Sequence, residues 1–337
     1  MAPLATILGL SGLKLTAGEK AFFRDANPWA FILFSRNVDS PAQVEKLCNE
    51  LRESVGRDAL IFVDQEGGRV QRLKAPHWRP YPPGNAYAKL HEIDPAGGRR
   101  AIYLGHRLIA DDLRAVGITA DCAPVLDLPQ YGADPIISDR ALGDHTDRIV
   151  DLAHAAMSGL MSGGVAPVIK HIPGHGRATV DSHLELPRID TSRDLLERTD
   201  FIPFRKLNDA PMAMTAHAVY SVADEDPVTT SPTALKALIR DSIGFDGLLM
   251  SDDLDMKALA GNNLEDKTVA ALKAGCDIAL QCSGQMPDMI DVAKGARSLA
   301  DKALSRSVIA ENTAIYVEEF DRKSAEAEFD DLMAGVS

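Results

Sequence analysis

Residues 247–256 read Gly247-Leu248-Leu249-Met250-Ser251-Asp252-Asp253-Leu254-Asp255-Met256, an apolar run that breaks at once into carboxylates. The run lacks polar/apolar alternation, which predicts a strand buried on both faces of a parallel sheet. Asp252 then emerges where the strand meets its loop, and Asp253 faces the other way on extended backbone. The same pattern recurs at Ala5–Leu10, Ala30–Phe34, Ala59–Val63, Ile118–Pro124, Ala166–Lys170, Met212–Ala216 and Asp277–Gln281. Each run is followed by a loop and a longer helical pattern. Ser40-Pro41, Asp94-Pro95 and Ser231-Pro232 place a capping side chain before a proline suited to a first helical turn. Thr191-Ser192-Arg193-Asp194 resembles a capping box, and Gly117 and the Gly163-Gly164 pair are expected to end helices in left-handed conformation. Eight strands alternating with helices predict an α/β fold of the (β/α)8 barrel type. It forms a single domain over 1–337, with a helical tail from about 305 whose segment after Asp321 is acidic and Ala-rich. A doubly wound open sheet is the alternative, but no glycine-rich nucleotide fingerprint follows the first run.

Composition narrows the class. The 36 basic and 49 acidic side chains leave a formal charge of −13, which disfavours broad binding to nucleic acid or anionic lipid. With 45% hydrophobic and 25% charged residues the chain has ample material for a large core. Four cysteines (Cys48, Cys122, Cys276 and Cys282) lack CxxC spacing and read as buried thiols in a reducing cytoplasm. The apolar N-terminal stretch is too short for a membrane span and reads as the first strand. No metal or organic cofactor is indicated, the expected partner is a small-molecule substrate, and the oligomeric state is open.

In a barrel, the C-terminal strand ends build the active face, and polar residues gather there. The third run ends in Asp64-Gln65-Glu66-Gly67-Gly68-Arg69-Val70-Gln71-Arg72. The fifth ends in Lys170-His171-Ile172-Pro173-Gly174-His175-Gly176 and continues to Asp181-Ser182-His183. The sixth ends at His217 and the seventh at Asp252. The Gly/Pro-rich turn 173–176 is expected to approach a ligand closely. Asp181 and His183, two apart in an extended stretch, can point the same way, so the carboxylate fixes the ring's tautomer and favours imidazolium, a proton donor. A structural loop histidine is the plainer alternative. Asp252 suits nucleophilic attack on an electrophilic carbon, against a salt-bridge or capping role, and Asp255 reads as a helix-start residue. Asp64 reads as an acceptor for vicinal sugar hydroxyls, or else as an ion-pair partner of Arg69 or Arg72, whose forked donors suit an anionic or carbonyl group. Lys170 is either a desolvated Schiff-base nucleophile or a hydrogen-bond donor. His217 reads as a core histidine. Trp78 and Tyr81 sit in the long loop between the third and fourth runs, expected to extend over one mouth of the barrel; they either stack on a ring or pack that loop.

These three motifs, in this order, resemble glycoside hydrolase family 3, and more narrowly its single-domain bacterial β-N-acetylglucosaminidases. The likeness runs over about residues 5 to 305. It implies a retaining exo-enzyme that removes terminal β-linked N-acetylglucosamine from cytosolic peptidoglycan fragments carrying 1,6-anhydro-N-acetylmuramic acid, in cell-wall recycling. It assigns Asp252 as nucleophile, His183 as acid and then base, and Asp181 as its partner. It assigns Asp64, Arg72, Arg140, Lys170 and His171 to binding the sugar ring. One departure is Asp255, where the family often has serine.

Other readings compete. His171, His175 and His183 cluster as in a metal-dependent hydrolase, but Pro173-Gly174 prevents the helical spacing of a two-histidine site. A family relative with another sugar preference is a further possibility. So is a sugar-binding protein without turnover, although Asp252, Asp181 and His183 are intact.

Overall fold

The computed structural model describes residues 2–336 apart from 133 and 260–262. Eight strands close a barrel: β1 (Leu4–Leu8), β2 (Pro28–Leu33), β3 (Leu60–Val63), β4 (Ala120–Asp121), β5 (Ala166–Ile172), β6 (Met212–Thr215), β7 (Leu248–Asp253) and β8 (Ile278–Gln281). Neighbours in sequence are neighbours in space, β8 pairs back onto β1, and every pairing is parallel. Closure removes both sheet edges, which excludes the open doubly wound alternative. All eight apolar runs are strands, and their side chains are almost uniformly buried, as a sheet filled inside and covered outside requires. β4 is far shorter than the run Ile118–Pro124; beyond it, the β5 amides of Val168 and Lys170 still reach the Ala123 and Pro124 carbonyls, and Val125 bridges to Lys170.

Helices cover the outside, among them 41–55, 95–115, 146–162 and 264–274. The proline-led starts hold, with Asp94 accepting from the Ala96 amide and Ser231 from the Ala234 amide, although Ser40 makes no such bond. The capping box expected at Thr191 is absent: Ser192 is the cap residue and its side chain is unbonded to the helix. The box forms instead at Thr16, whose hydroxyl takes the Glu19 amide while Glu19 takes the Thr16 amide. Gly117 and Gly164 are left-handed, but Gly163 is not.

Two late helices, 301–312 and 322–333, return over the barrel wall. In the last, Phe329 packs on Tyr87 and lies under the Arg79 guanidinium, while Glu328 takes a two-pronged bond from Arg100. The long loop after β3 is held by helices 322–333 and 95–115. Tyr81 donates to Asp112 at 2.7 Å, and both Tyr81 and Trp78 are buried. The loop is therefore packed down, and its two aromatics serve packing. Among the described residues no helix is long and apolar enough to cross a membrane.

Candidate active site

A cavity of about 510 Å³ opens at the C-terminal end of the barrel. Asp64, Arg72, Arg140, Lys170, His171, His183 and Asp252 all line it. Of the expected site residues only Asp181 stands behind the wall, where it holds His183.

The floor is a charged mosaic. Lys170, at the end of β5 and only 2% exposed, donates to Asp64 at 3.0 Å and lies 2.6 Å from Glu66. Arg72 donates to the other Asp64 oxygen at 2.8 Å, and Arg140 grips Glu66 through two bonds of 2.8 Å. Burial alone would raise the Asp64 and Glu66 pKa values. For Asp64, Lys170 and then Arg72 outweigh burial and hold it below the ordinary carboxylate range; for Glu66, Arg140 and then Lys170 bring it to about 2. Burial would strip the Lys170 proton, but Asp64 and Glu66 keep the ammonium charged. That removes the Schiff-base alternative, which needs a neutral amine. Arg69 is not the Asp64 partner; it bonds Asp139 at 2.8 Å. Beneath the floor, Asp121 accepts from the Gln65 amide with one oxygen, while the other has no partner among the described residues; burial pushes it up to about 8.

His171 follows Lys170 on β5 and lines the cavity with it. Its Nδ1 is 2.7 Å from Asp127, and Asp127 also accepts the amides of His171 and His175. Burial would raise Asp127, but His171 and these bonds bring it down to about 2. The turn 173–176 is buried and meets the protein's own backbone: a Cβ on Gly176 would lie 1.9 Å from the Leu128 carbonyl oxygen. The expected close approach to a ligand is therefore corrected; these glycines root the loop. His175 is buried against Ser182, and desolvation brings it to about 4. The three histidines do not assemble a metal site, and no group of three potential ligands exists among the described residues.

His183 stands at the loop tip with its side chain 61% exposed. Asp181 accepts from the His183 amide at 2.9 Å and lies 2.7 Å from Nδ1. The segment is a turn, with Leu184 and Glu185 amides on the Asp181 carbonyl, rather than the extended stretch expected. The carboxylate nonetheless reaches the ring, and the other nitrogen is left for the cavity. Burial would raise Asp181, but the His183 amide and ring outweigh it and hold its pKa low.

Two strands along the barrel, Asp252 is the last residue but one of β7. Its Oδ1 accepts from the Asp253 amide at 2.8 Å. Burial would raise its pKa, but the His217 and His171 rings and that amide more than offset it, so the group is an anion. His217 is a fully buried core histidine, bonded to Thr229 and to the Asp253 carbonyl. Asp255 starts no helix; it accepts from Gln281 Nε2 at 2.8 Å and from the Ser283 amide at 3.0 Å.

Four residues, three lining the cavity and Glu66 in the cluster beneath it, carried a readable signal that sequence reasoning passed over. Glu66 is two residues from Asp64 and so on the same side of an extended segment. Phe34 and Arg36 follow β2, where the strand-end rule points; Arg36 and Arg72 both stack on the Phe34 ring, at 5.0 and 5.3 Å. Ser283 follows β8 in the same way.

A barrel whose strand ends present an anionic carboxylate, a carboxylate-held imidazole and a floor of paired charges has the equipment of a glycoside hydrolase. Residues 8–310 match the glycosyl hydrolase family 3 N-terminal domain, and the chain belongs to that family. The β-hexosaminidase of Alkalilimnicola ehrlichii is 39% identical over 280 residues, 82% of this chain and 80% of that one. That of Nitrosospira multiformis is 39% identical over 281 residues, with the same shares. Native NagZ from Neisseria gonorrhoeae superposes with a TM-score of 0.85 at 30% identity, covering 100% of this chain and 97% of that one. The same protein has been solved with N-trifluoroacetyl-D-glucosamine (TM-score 0.85, 31% identity, with the same coverage).

Proposed function

We propose that this glycoside hydrolase is a β-N-acetylhexosaminidase that removes terminal β-linked N-acetylglucosamine with retention, acting in the cytoplasm on peptidoglycan fragments that carry 1,6-anhydro-N-acetylmuramic acid. The observation that carries the reading is that the Asp252 anion, on β7, and the His183 imidazole, on the β5 loop, line one cavity. In the first step an Asp252 oxygen bonds to the anomeric carbon as the glycosidic C–O bond breaks, and the leaving oxygen takes the proton from His183. In the second, His183 takes a proton from water, the water oxygen bonds to the anomeric carbon, and Asp252 departs as carboxylate. Pairing imidazole with Asp181 supplies an acid without setting a second lone carboxylate beside Asp252, whose repulsion would raise both pKa values.

Asp64, Lys170, Arg72, Arg140 and His171 supply fixed donors and acceptors for the ring hydroxyls and the acetamido group. A cavity of about 510 Å³, closed below by the charged floor, supports binding of a chain end. Arg36 and Arg69, which also line the cavity, support an aglycone bearing carboxylates. The complex of the gonococcal relative with an N-acylated glucosamine supports the choice of sugar.

The test compares a chromogenic β-N-acetylglucosaminide with the matching β-glucoside, and treats the enzyme with an activated, ring-fluorinated N-acetylglucosaminide. Strong preference for the first substrate, a label recovered on Asp252, and loss of turnover in Asp252→Ala are expected. Equal kcat/KM on both sugars, or a label on another residue, overturns the reading.

A further inference from the structure

The strand end that carries Asp252 is held in an unusual way. Pairing between β7 and β8 slips within the strand: Met250 is level with Ile278, but Asp253 with Leu280. The backbone acceptors of β7 therefore fall out of step with the amides of β8, and side chains replace them. Ser251 Oγ accepts from the Leu280 amide at 2.9 Å, Asp253 Oδ1 from the Cys282 amide at 3.0 Å, and Asp255 Oδ2 from the Ser283 amide at 3.0 Å. Asp255 also takes the Gln281 side-chain amide at 2.8 Å.

Ser251 and Asp253 are two apart on β7, the period that puts strand side chains on one side, and Asp255 continues the spacing in the turn beyond it. Asp252 falls between the first two rungs and lines the cavity. The main chain between the rungs is tied as well. Leu254 donates to the Leu280 carbonyl at 3.0 Å, Lys267 Nζ donates to the Leu254 carbonyl at 3.0 Å, and His217 Nε2 lies 3.0 Å from the Asp253 carbonyl. The Asp253 amide, fixed by this frame, is the one that donates to Asp252 Oδ1.

We propose that Asp255, acting with Asp253, is a positioning residue for the reaction: the two carboxylates fasten the end of β7 to the amides after β8 and thereby aim the Asp252 carboxylate at the anomeric carbon. The proposal rests on the reading of Asp252 as nucleophile. Asp255 is the informative rung, because its carboxylate does not itself line the cavity and so acts only through the frame.

The experiment compares Asp255→Ala and Asp255→Asn with wild type in four readouts: kcat, KM, melting temperature, and the rate at which the ring-fluorinated N-acetylglucosaminide labels Asp252. A misplacement of about 1 Å costs a reaction roughly 10²-fold. In Asp255→Ala, kcat and the labelling rate should fall together by about 10- to 100-fold, with KM held within about threefold. Asp255→Asn keeps an oxygen for the Ser283 amide and the Gln281 side-chain amide, both of which donate to one Asp255 oxygen. It should recover most of both rates. Wild-type labelling and kcat in Asp255→Ala overturn the proposal, as does a fall in melting temperature alone, or an Asn variant as slow as the Ala one. If Asp255→Ala does not fold, Asp255→Ser, with its short acceptor, carries the same comparison; a partial loss supports the ladder and undiminished rates overturn it. The two readings fail separately. A label on another residue in the wild type removes Asp252 as nucleophile, whereas undiminished labelling of Asp252 in the Ala variant removes only the ladder.

Discussion

Replacing Lys170 with methionine keeps most of the side-chain volume and deletes one charge from a site that is 2% exposed. The ammonium lies 2.6 Å from Glu66 and 3.0 Å from Asp64, and at an effective dielectric of 20 each contact is worth about 5–6 kcal/mol of Coulomb attraction. Desolvation of the three ions returns several kcal/mol apiece, so the cluster's net contribution is modest while it is complete. Once Lys170 is gone, two buried carboxylates face each other with only Arg72 and Arg140 to balance them, and the expected loss at neutral pH is about 3–5 kcal/mol. At roughly 2 °C per kcal/mol for a chain of this size, the melting temperature should drop by about 6–10 °C.

The sign of the pH dependence follows. In the wild type, burial would raise Glu66, but Arg140 and Lys170 bring it to about 2, below its unfolded value. Its stabilisation is therefore present above the unfolded pKa and is lost as pH falls toward about 2. In the variant the repelling pair takes up a proton above the unfolded range, so acidification relieves it. The melting gap between variant and wild type should narrow between pH 8 and pH 5, measured by calorimetry. A gap under about 1 kcal/mol, or one that does not change with pH, would refute the charge accounting.

Three further outcomes are expected. His183→Ala should lose less activity on aryl glycosides with very good leaving groups than on natural disaccharides, because only the latter need a proton on the departing oxygen; equal losses measured by steady-state kinetics would count against the acid role. Tyr81→Phe removes the buried bond to Asp112 and should cost about 1–2 kcal/mol in urea denaturation with KM unchanged; a raised KM would return the long loop to the binding site. Thr16→Ala should cost about 1 kcal/mol by loss of the hydroxyl half of the capping box, again read by denaturation, and no change would mean that Glu19 holds the helix start through Ser11 and the residue-16 amide.

The barrel was legible because β-strands buried on both faces leave continuous apolar runs, and Ala59–Val63 or Gly247–Ser251 cannot be mistaken for amphipathic segments. Asp252 was legible for the same reason, as the first charge after such a run. The Asp181–His183 contact followed from spacing, although the local backbone is a turn. The missing parts depend on contacts distant in sequence. Nothing local says that Gly176 abuts the Leu128 carbonyl and not a ligand, or that Tyr81 finds Asp112. Asp255 illustrates the point: next to a helical pattern it reads as a helix start, and only the β7–β8 slip reveals that its oxygen replaces a strand acceptor. Helix caps misled in the same way, since Thr191-Ser192-Arg193-Asp194 and Thr16–Glu19 share a pattern but only the second closes it.

The root and the tip of the β5 loop are built to different standards. Asp127 clasps two amides at the root and Gly176 is wedged against Leu128, while the tip at His183 stands in solvent on a single turn. Between them Ser182 is pinned, its hydroxyl 3.1 Å from His175 Nε2 and its carbonyl accepting the Ala258 amide. A side chain exchanged at position 183 therefore alters the tip and leaves its mount in place.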